Sequence, residues 1–343
     1  MNNGIGNGII NGIYTLANDV VFDQAVALLN SIEANHGKET PVCIIAYNQR
    51  VERLRAEIAH RPQVTLMEDA ALFAPWEDFS RRVWATHPHA LQTWRAEKGL
   101  EDVYRLECNH RYAAFDPQAP FDRFIYLDAD TLVLHSLDRV FAALDDHDFV
   151  IYDFQHRDPT HIFNVNAPRL QEIFEPSQLQ ANIFCSGFFA SKKGMFPPER
   201  RDWLVERLAE GDAEVLYLAA PNQSVLNYMT LRSRLSICNL ALQLPADQVT
   251  GNAVTSSHFE ERNHRLYDRG IPVTYLHYIG LSSKLFTKVA AGENIGFPYR
   301  NLFLHYRFLH EPDHRPPLTG TPRPYNAPPS LRKRVLRKIG FVR

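Results

Sequence analysis

The chain has 343 residues, of which 45% are hydrophobic and 22% charged, so it is neither a minimal module nor a disordered or fibrous chain. Its 37 Lys and Arg against 39 Asp and Glu give a net charge of −2, and no overall field calls for nucleic acid. That average hides an asymmetry: residues 323–343 hold seven basic side chains and no acid, leaving 30 basic against 39 acidic before them, a net of −9.

In chain order, residues 8–16 (GIINGIYTL) are rich in β-formers, and Asn18 or Asp19 is placed to cap the first helix. Val21, Ala25, Leu28 and Ile32 then recur at helical spacing. VCIIAY after Pro41 is a continuous apolar run of strand length, residues 49–60 read as a second helix, and Val64–Met67 as a third strand. Buried strands alternating with helices predict an α/β fold: a mostly parallel central sheet with helices on both faces. Residues 70–120 read as helical and hold the Trp- and His-rich stretch 76–94, which fits either core or a lining for an acceptor site. Residues 124–127 (FIYL) form a further strand, succeeded by a helix from Ser136 and a strand at 149–152 (FVIY). Pro198 and Pro221 stand where first-turn prolines of helices belong, and 273–277 reads as a late strand. Seven prolines between 312 and 329 mark a linker or a surface-wrapping arm, and 330–339 reads as a basic amphipathic helix.

The organisation expected is a catalytic domain over residues 1–300, a Pro-rich arm over 301–329 and a basic tail over 330–343. No run approaches the roughly 18 apolar residues of a membrane span, and the N-terminus lacks the basic region of a signal peptide, its first Lys or Arg being Lys38. Cys43, Cys108, Cys185 and Cys238 form no CxxC pair, which argues against zinc and for a reduced, cytoplasmic setting; Cys43 and Cys185 read as small core residues.

The sharpest chemical feature is Asp128-Ala129-Asp130, two carboxylates directly after a buried strand, where an open α/β sheet presents its ligand site. Both can reach one hard divalent cation, magnesium or manganese. Asp146-His147-Asp148 has the same pattern but precedes its strand and reads as a solvated turn. A rival chemistry is that of haloacid-dehalogenase-like phosphohydrolases, in which Asp128 would attack phosphorus and Asp130 handle the proton. That fold opens with this strand, whereas here 127 residues precede Asp128, and the expected later acidic pair is not found.

The surroundings favour another reading. Tyr14-Thr15-Leu16-Ala17-Asn18-Asp19, Leu28-Leu29-Asn30-Ser31-Ile32, Val103-Tyr104-Arg105-Leu106, the Asp128 strand, Cys185-Ser186-Gly187, Asn222-Gln223 and His277-Tyr278-Ile279-Gly280 succeed one another in this order. Over roughly residues 8–290 this succession resembles the GT-A glycosyltransferases, family-8-like retaining enzymes of the glycogenin and galactinol-synthase type. The resemblance implies a GT-A Rossmann-like nucleotide-diphospho-sugar transferase fold. It also implies transfer from a nucleotide-sugar donor, UDP-linked by the family's habit, to a glycan, polyol or lipid-linked acceptor, with Mn2+ or Mg2+ as cofactor. A non-catalytic sugar-nucleotide-binding relative is the alternative within the fold, against which the intact acids and His277 argue.

On this resemblance Thr15, Leu16 and Asn18 hold uracil and ribose, and Asp128 and Asp130 bind the metal, with Ala129 between them at the donor. His277 is the third metal ligand, Gly280 lets backbone approach the pyrophosphate, and Lys284 neutralises it. Arg105 matches the family's basic residue ahead of the acid pair, with Arg111 as second candidate. Ser186 and Gly187 shape the sugar pocket, and Gln223 lies near the reacting face of the sugar.

Two departures stand out. Three residues separate Gly280 from Lys284 where the family has two, which opens the phosphate contact to Lys288 as well. Asn222 stands where the family usually has Asp. An amide is a poor nucleophile, so a covalent glycosyl-enzyme at that position is disfavoured and front-face retention is the expectation. The tail, finally, suggests peripheral contact with anionic lipid, or else a basic arm on the acidic body.

Overall fold

The computed structural model describes residues 9–326. Its strands are β1 (Asn11–Ala17), β2 (Val42–Ala46), β3 (Val64–Met67), β4 (Arg123–Asp128), β5 (Thr131–Val133), β6 (Phe149–Ile151), β7 (Phe188–Lys192) and β8 (Ile237–Asn239). Six short strands complete the set: β9 (Glu260–Arg262), β10 (Arg265–Asp268), β11 (Ile271–Pro272), β12 (Tyr275–His277), β13 (Ile295–Gly296) and β14 (Arg323–Pro324). Seven strands form one sheet in the order β3-β2-β1-β4-β7-β6-β8. Only β7 runs against the others, so the sheet is mostly parallel as expected.

Burial explains the apolar runs. All five residues of β2 and six of seven in β1 are buried, because helices cover both faces of the sheet. The helix Phe22–Asn35 covers one flank, and Asn18 caps the turn before it by accepting from the Val20 N–H at 3.0 Å. Residues 70–120 resolve into helices Ala70–Ala85 and Ala90–Lys98 and a 3-10 segment, Leu106–Phe115. Trp76, Trp84 and Trp94 are 1%, 0% and 1% exposed, so the tryptophans of that stretch belong to the core.

The unforeseen element is β5. After Asp130 the chain leaves the main sheet and pairs antiparallel with β12, Leu132 facing Leu276 and Thr131 facing His277. This ribbon lies on its own apolar cluster, which includes Leu134, Val273, Phe286 and Phe303. The helix expected from Ser136 starts at Asp138, after Ser136 Oγ and the Asp138 carboxylate have bonded each other at 2.7 Å.

Residues 301–307, grouped with the Pro-rich arm by sequence, lie in the helix Arg300–Arg307, which packs on Phe22–Asn35. Asn30 Nδ2 donates to Tyr306 O at 2.7 Å, and Arg307 Nε to Asp23 Oδ1 at 2.7 Å. Beyond it the arm returns along the surface until β14 pairs with β13. The basic tail, 330–343, lies outside the described residues. Among those described, no helix is long and apolar enough to cross a membrane.

His305 on this last helix stacks on His264, ring centroids 3.6 Å apart and the ring planes nearly parallel. Burial, His264 and Arg315 together push the His305 pKa down to about 4. The folded state therefore prefers the neutral ring. The stabilisation is complete above about pH 6.5, where the unfolded ring is neutral too, and is lost as pH falls towards 4. The urea midpoint of the protein is expected to decline over that window, and the decline to be smaller in His305→Phe. Identical slopes would exclude the pair as its source.

Candidate functional site

Asp128 closes β4, and the backbone turns through Ala129 and Asp130 into β5. Side chains alternate along a strand, so Tyr126 and Asp128 share a face. The Tyr126 hydroxyl donates to Asp128 Oδ1 at 2.8 Å. Burial raises the Tyr126 pKa well above the phenol range, against the pull of Arg111, so the hydroxyl keeps its proton and stays a donor. On the other side Arg111 Nη1 lies 3.4 Å from the same carboxylate oxygen.

Asp130 is oriented by the β5–β12 ribbon. Its carbonyl accepts the Tyr278 N–H at 2.9 Å, and its Oδ1 lies 3.3 Å from His277 Nε2. His277 is itself held by backbone on both sides, donating to Asn252 O at 2.7 Å and accepting from the Val254 N–H at 2.9 Å. One ligand atom each from Asp128, Asp130 and His277 all fall within 4.8 Å of one another, so the three can hold a metal ion.

Burial alone would lower the His277 pKa; the Asp130 carboxylate outweighs it, with help from Cys185, and holds the ring well above the usual imidazole range. A cation held between these groups would take the place of that proton, since a ligating imidazole is neutral. Two carboxylates with one imidazole are a donor set that suits manganese or magnesium. The wall of the site fits too. A Cβ at Gly187 would come within 2.4 Å of His277 Cε1 and 3.0 Å of Asp128 Oδ2, so only glycine leaves the cluster its room. Gly187→Ala is therefore expected to fold but to bind Mn2+ roughly 10–100-fold more weakly, the range typical of disturbed ligand support, as read by calorimetric titration. Unchanged affinity would mean that the wall is not part of the site.

The remaining residues singled out from sequence divide into those brought to this cluster and those not. Gly187 O accepts the Asp128 N–H at 2.9 Å, and Ser186 O and Oγ accept from Arg111 Nη1 at 2.9 and 3.2 Å. Asn222 and Gln223 sit in the first turn of the helix Pro221–Arg232, pointed at the same loop. Asn222 Nδ2 lies 3.4 Å from Ser186 Oγ, and Gln223 Oε1 accepts the Ser186 N–H at 3.1 Å while its Nε2 donates to His161 O at 3.0 Å. Ala129 is buried between the two acids, and Leu16 stands opposite Asp128 in the β1–β4 register. Asn18 is at the end of β1, bonded to Asn48 at 3.2 Å.

Others depart from expectation. Thr15 is fully buried and its hydroxyl has no partner, so its side chain faces the packed interior and not the rim. Arg105 is exposed, its backbone at φ 59° and its guanidinium over the Tyr104 ring at 5.2 Å; Arg111, the second candidate, stands at Asp128 instead. Gly280 does adopt a positive φ, 80°, in open space. Lys284 is exposed in the first turn of the helix Ser283–Ala290 and makes no ion pair among the described residues. Lys288 is turned away to Glu293 at 3.2 Å. Cys185, read as core, is half-buried and in hydrogen-bond contact with His277.

Sequence reasoning missed two groups. Tyr126 was legible, since period two in a strand puts it on the face of Asp128. Asp153, two residues beyond β6, had no local signal. It is 9% exposed, burial pushes its carboxyl up to about 6, and backbone amides of Gln155 and Cys185 and the charge of His277 oppose the rise.

No family model matches the chain, and no curated protein does. The fold has solved counterparts. The galactosyltransferase LgtC, solved in complex with donor and acceptor sugar analogs, matches with a TM-score of 0.50 at 14% identity, over 85% of this chain and 100% of LgtC. The bifunctional glycosyltransferase WbbM matches with a TM-score of 0.48 at 14% identity, over 92% of this chain; the chain spans 53% of WbbM, about half its length. GlyE of Streptococcus pneumoniae matches with a TM-score of 0.43 at 12% identity, over 92% of this chain and 66% of GlyE. What is shared at such identities is the architecture. The chain has the GT-A Rossmann-like fold, a mostly parallel central sheet with helices on both faces.

Proposed function

We propose that the chain is a glycosyltransferase of the hexosyl-transferring, family-8-like type, which moves a sugar from a UDP-linked donor in a reaction dependent on Mn2+ or Mg2+. The observation that carries this reading is the convergence of Asp128, Asp130 and His277 within 4.8 Å at the carboxyl ends of β1 and β4, in the fold that LgtC shares. Asp128, Asp130 and His277 would hold the cation, whose charge stabilises the diphosphate as the sugar leaves it.

The chain's own groups have separable tasks in this reading. Arg111 and Tyr126 fix the Asp128 carboxylate and leave its second oxygen for the cation. Leu16 and Asn18 receive base and ribose at the end of β1, with Thr15 supporting them from beneath. Gly280 admits the pyrophosphate and Lys284, exposed beside it, supplies a positive charge. Ser186, Gly187 and Gln223 bound the sugar. Asn222 offers an amide to Ser186 and no carboxylate to the anomeric carbon, which supports retention by front-face attack, the leaving phosphate accepting the acceptor's proton. An inverted anomer in the product, seen by NMR, would remove that stereochemistry.

The test is a panel of sugar nucleotides scored for Mn2+-dependent hydrolysis, alongside thermal shift. UDP with Mn2+ is expected to raise Tm, the added stability being about 2.7 kcal/mol at a hundredfold excess over Kd. Stabilisation by vanadate or beryllofluoride, with no response to any nucleotide, would sink the transferase in favour of a phosphohydrolase. The acceptor class proposed is a glycan, a polyol or a lipid-linked sugar. A cytoplasmic site of action, with the basic tail on anionic lipid, is proposed from sequence alone; equal flotation of the full chain and a 1–322 truncation with liposomes would end it.

A further inference from the structure

A cleft of about 560 Å3 opens on the far edge of the central sheet, lined by Glu199, Arg200, Trp203, Arg232, Ser233 and Arg234 among others. Its residues flank two junctions: the start of the helix Pro198–Ala209, which follows β7, and the end of the helix Pro221–Arg232 with the turn into β8. Since β8 runs with β4 and β7 against it, both junctions are at the end of the sheet opposite to Asp128. The cleft is therefore separate from the site described above.

Two features point to a ligand. First, three guanidinium groups face one carboxylate, that of Glu199, on a body whose first 322 residues carry a net −9. Among the described residues neither Arg200 nor Arg234 forms an ion pair, and Arg232 is fixed by donating Nε to the fully buried Asp212 at 2.9 Å. Second, Trp203 is 36% exposed, while the other three tryptophans are buried. The Arg232 guanidinium lies 5.4 Å from its ring centroid, so an aromatic face stands next to the positive charge. A guanidinium fork matches oxyanions, and an indole face takes the C–H face of a pyranose ring.

We propose that this cleft is a second, non-catalytic site for an anionic saccharide, a sugar whose carboxylate, sulfate or phosphate ester lies between Arg200 and Arg234 while its ring rests on Trp203. The volume is that of a small-ligand pocket and leaves a bare oxyanion most of the space unfilled. The site does not depend on the donor reading of the opposite edge.

Because Trp203 is the solvent-facing tryptophan, its fluorescence reports on the cleft directly. Iodide, an anion, is expected to quench it at least about twofold more efficiently than neutral acrylamide at low salt, as a local positive potential concentrates anions. Trp203→Phe should remove that quenching, and Arg200→Ala with Arg234→Ala should erase the iodide excess, near-UV circular dichroism staying unchanged. A polygalacturonate hexasaccharide should protect Trp203 from both quenchers in the full chain and not in the double variant; maltohexaose should not protect. Donor hydrolysis should be unaltered in the double variant. Equal protection by inorganic phosphate at the same concentration would reduce the cleft to an oxyanion cradle and overturn the saccharide. Absent protection, or protection that survives the double variant, would overturn the site.

Discussion

Asp130→Ala is expected to lose Mn2+-dependent turnover of the sugar nucleotide on the order of 10³-fold while keeping the fold. The size comes from the several kcal/mol of charge stabilisation that a bound cation supplies, each 1.4 kcal/mol being about tenfold in rate. The fold should survive because the structural contribution of residue 130 is its carbonyl, which accepts the Tyr278 N–H at 2.9 Å and is untouched by the substitution. The carboxylate is 22% exposed and faces Asp128 as well as His277, so its removal takes away a repulsion together with an attraction. Without Asp130, burial is left as the main influence on His277, and the ring should titrate far lower, which 1H–15N NMR of labelled histidine reads independently of activity. Mn2+ binding measured by EPR should fall in parallel with turnover. Turnover at the parent level in a variant with weakened Mn2+ binding would show that the cation at this site is not used in the reaction. Unchanged Mn2+ binding would place the cation elsewhere.

The distance between what the sequence discloses and what the fold adds can be read from particular residues. Val64–Met67 has the bounds expected of it, and β2 and β4 lie within a residue or two of theirs, because continuous apolar runs are a local consequence of burial on both faces. The three residues of β5 are another matter. Their partner is Tyr275–His277, more than 140 positions along the chain, and nothing within a local window announces so distant a pairing. Yet that pairing sets His277 beside Asp130. His277 itself was legible through the order of the motifs, not through its neighbours. Cys185 looked like core because its run is apolar, while the chain bends there to bring the thiol against His277. For Arg105 and Arg111 the deciding variable is the winding between them. The 3-10 segment Leu106–Phe115 begins just after Arg105, which takes a left-handed conformation and points outward, and carries Arg111 to the interior. Spacing to Asp128 holds no information on that turn.

The same pair of arginines gives the sharpest test of how the site is braced. Arg111 is 4% exposed. Its Nη1 donates to Ser186 O and Oγ and lies 3.4 Å from Asp128, its Nε donates to Cys108 O at 2.9 Å, and its plane covers the Tyr126 ring at 4.8 Å. Arg111→Met keeps much of the volume but strands a carboxylate and several buried acceptors. Breaking a buried ion pair in this one-sided way costs about 3–5 kcal/mol. For a chain of this size that corresponds to a Tm lower by roughly 4–7 °C, and loss of the oriented charge adds a fall of about 10²–10³-fold in turnover. Arg111→Lys separates the two effects. Lysine restores the charge near Asp128 but not the planar fork that bonds Ser186 and Cys108 together. It should recover part of the stability and leave turnover low, because the loop carrying Ser186 and Gly187 is then no longer tied to Asp128. Arg105→Ala, at an exposed position whose guanidinium lies over Tyr104 and forms no ion pair among the described residues, should stay close to the parent in both Tm and turnover. If Arg105→Ala abolished activity while Arg111→Lys left it intact, the basic group that serves the donor would be Arg105, and Arg111 would only pack the core beneath Asp128. That outcome would also require Arg105 to swing from the Tyr104 ring on donor binding, a motion that a fluorescence change in Tyr104→Trp would register.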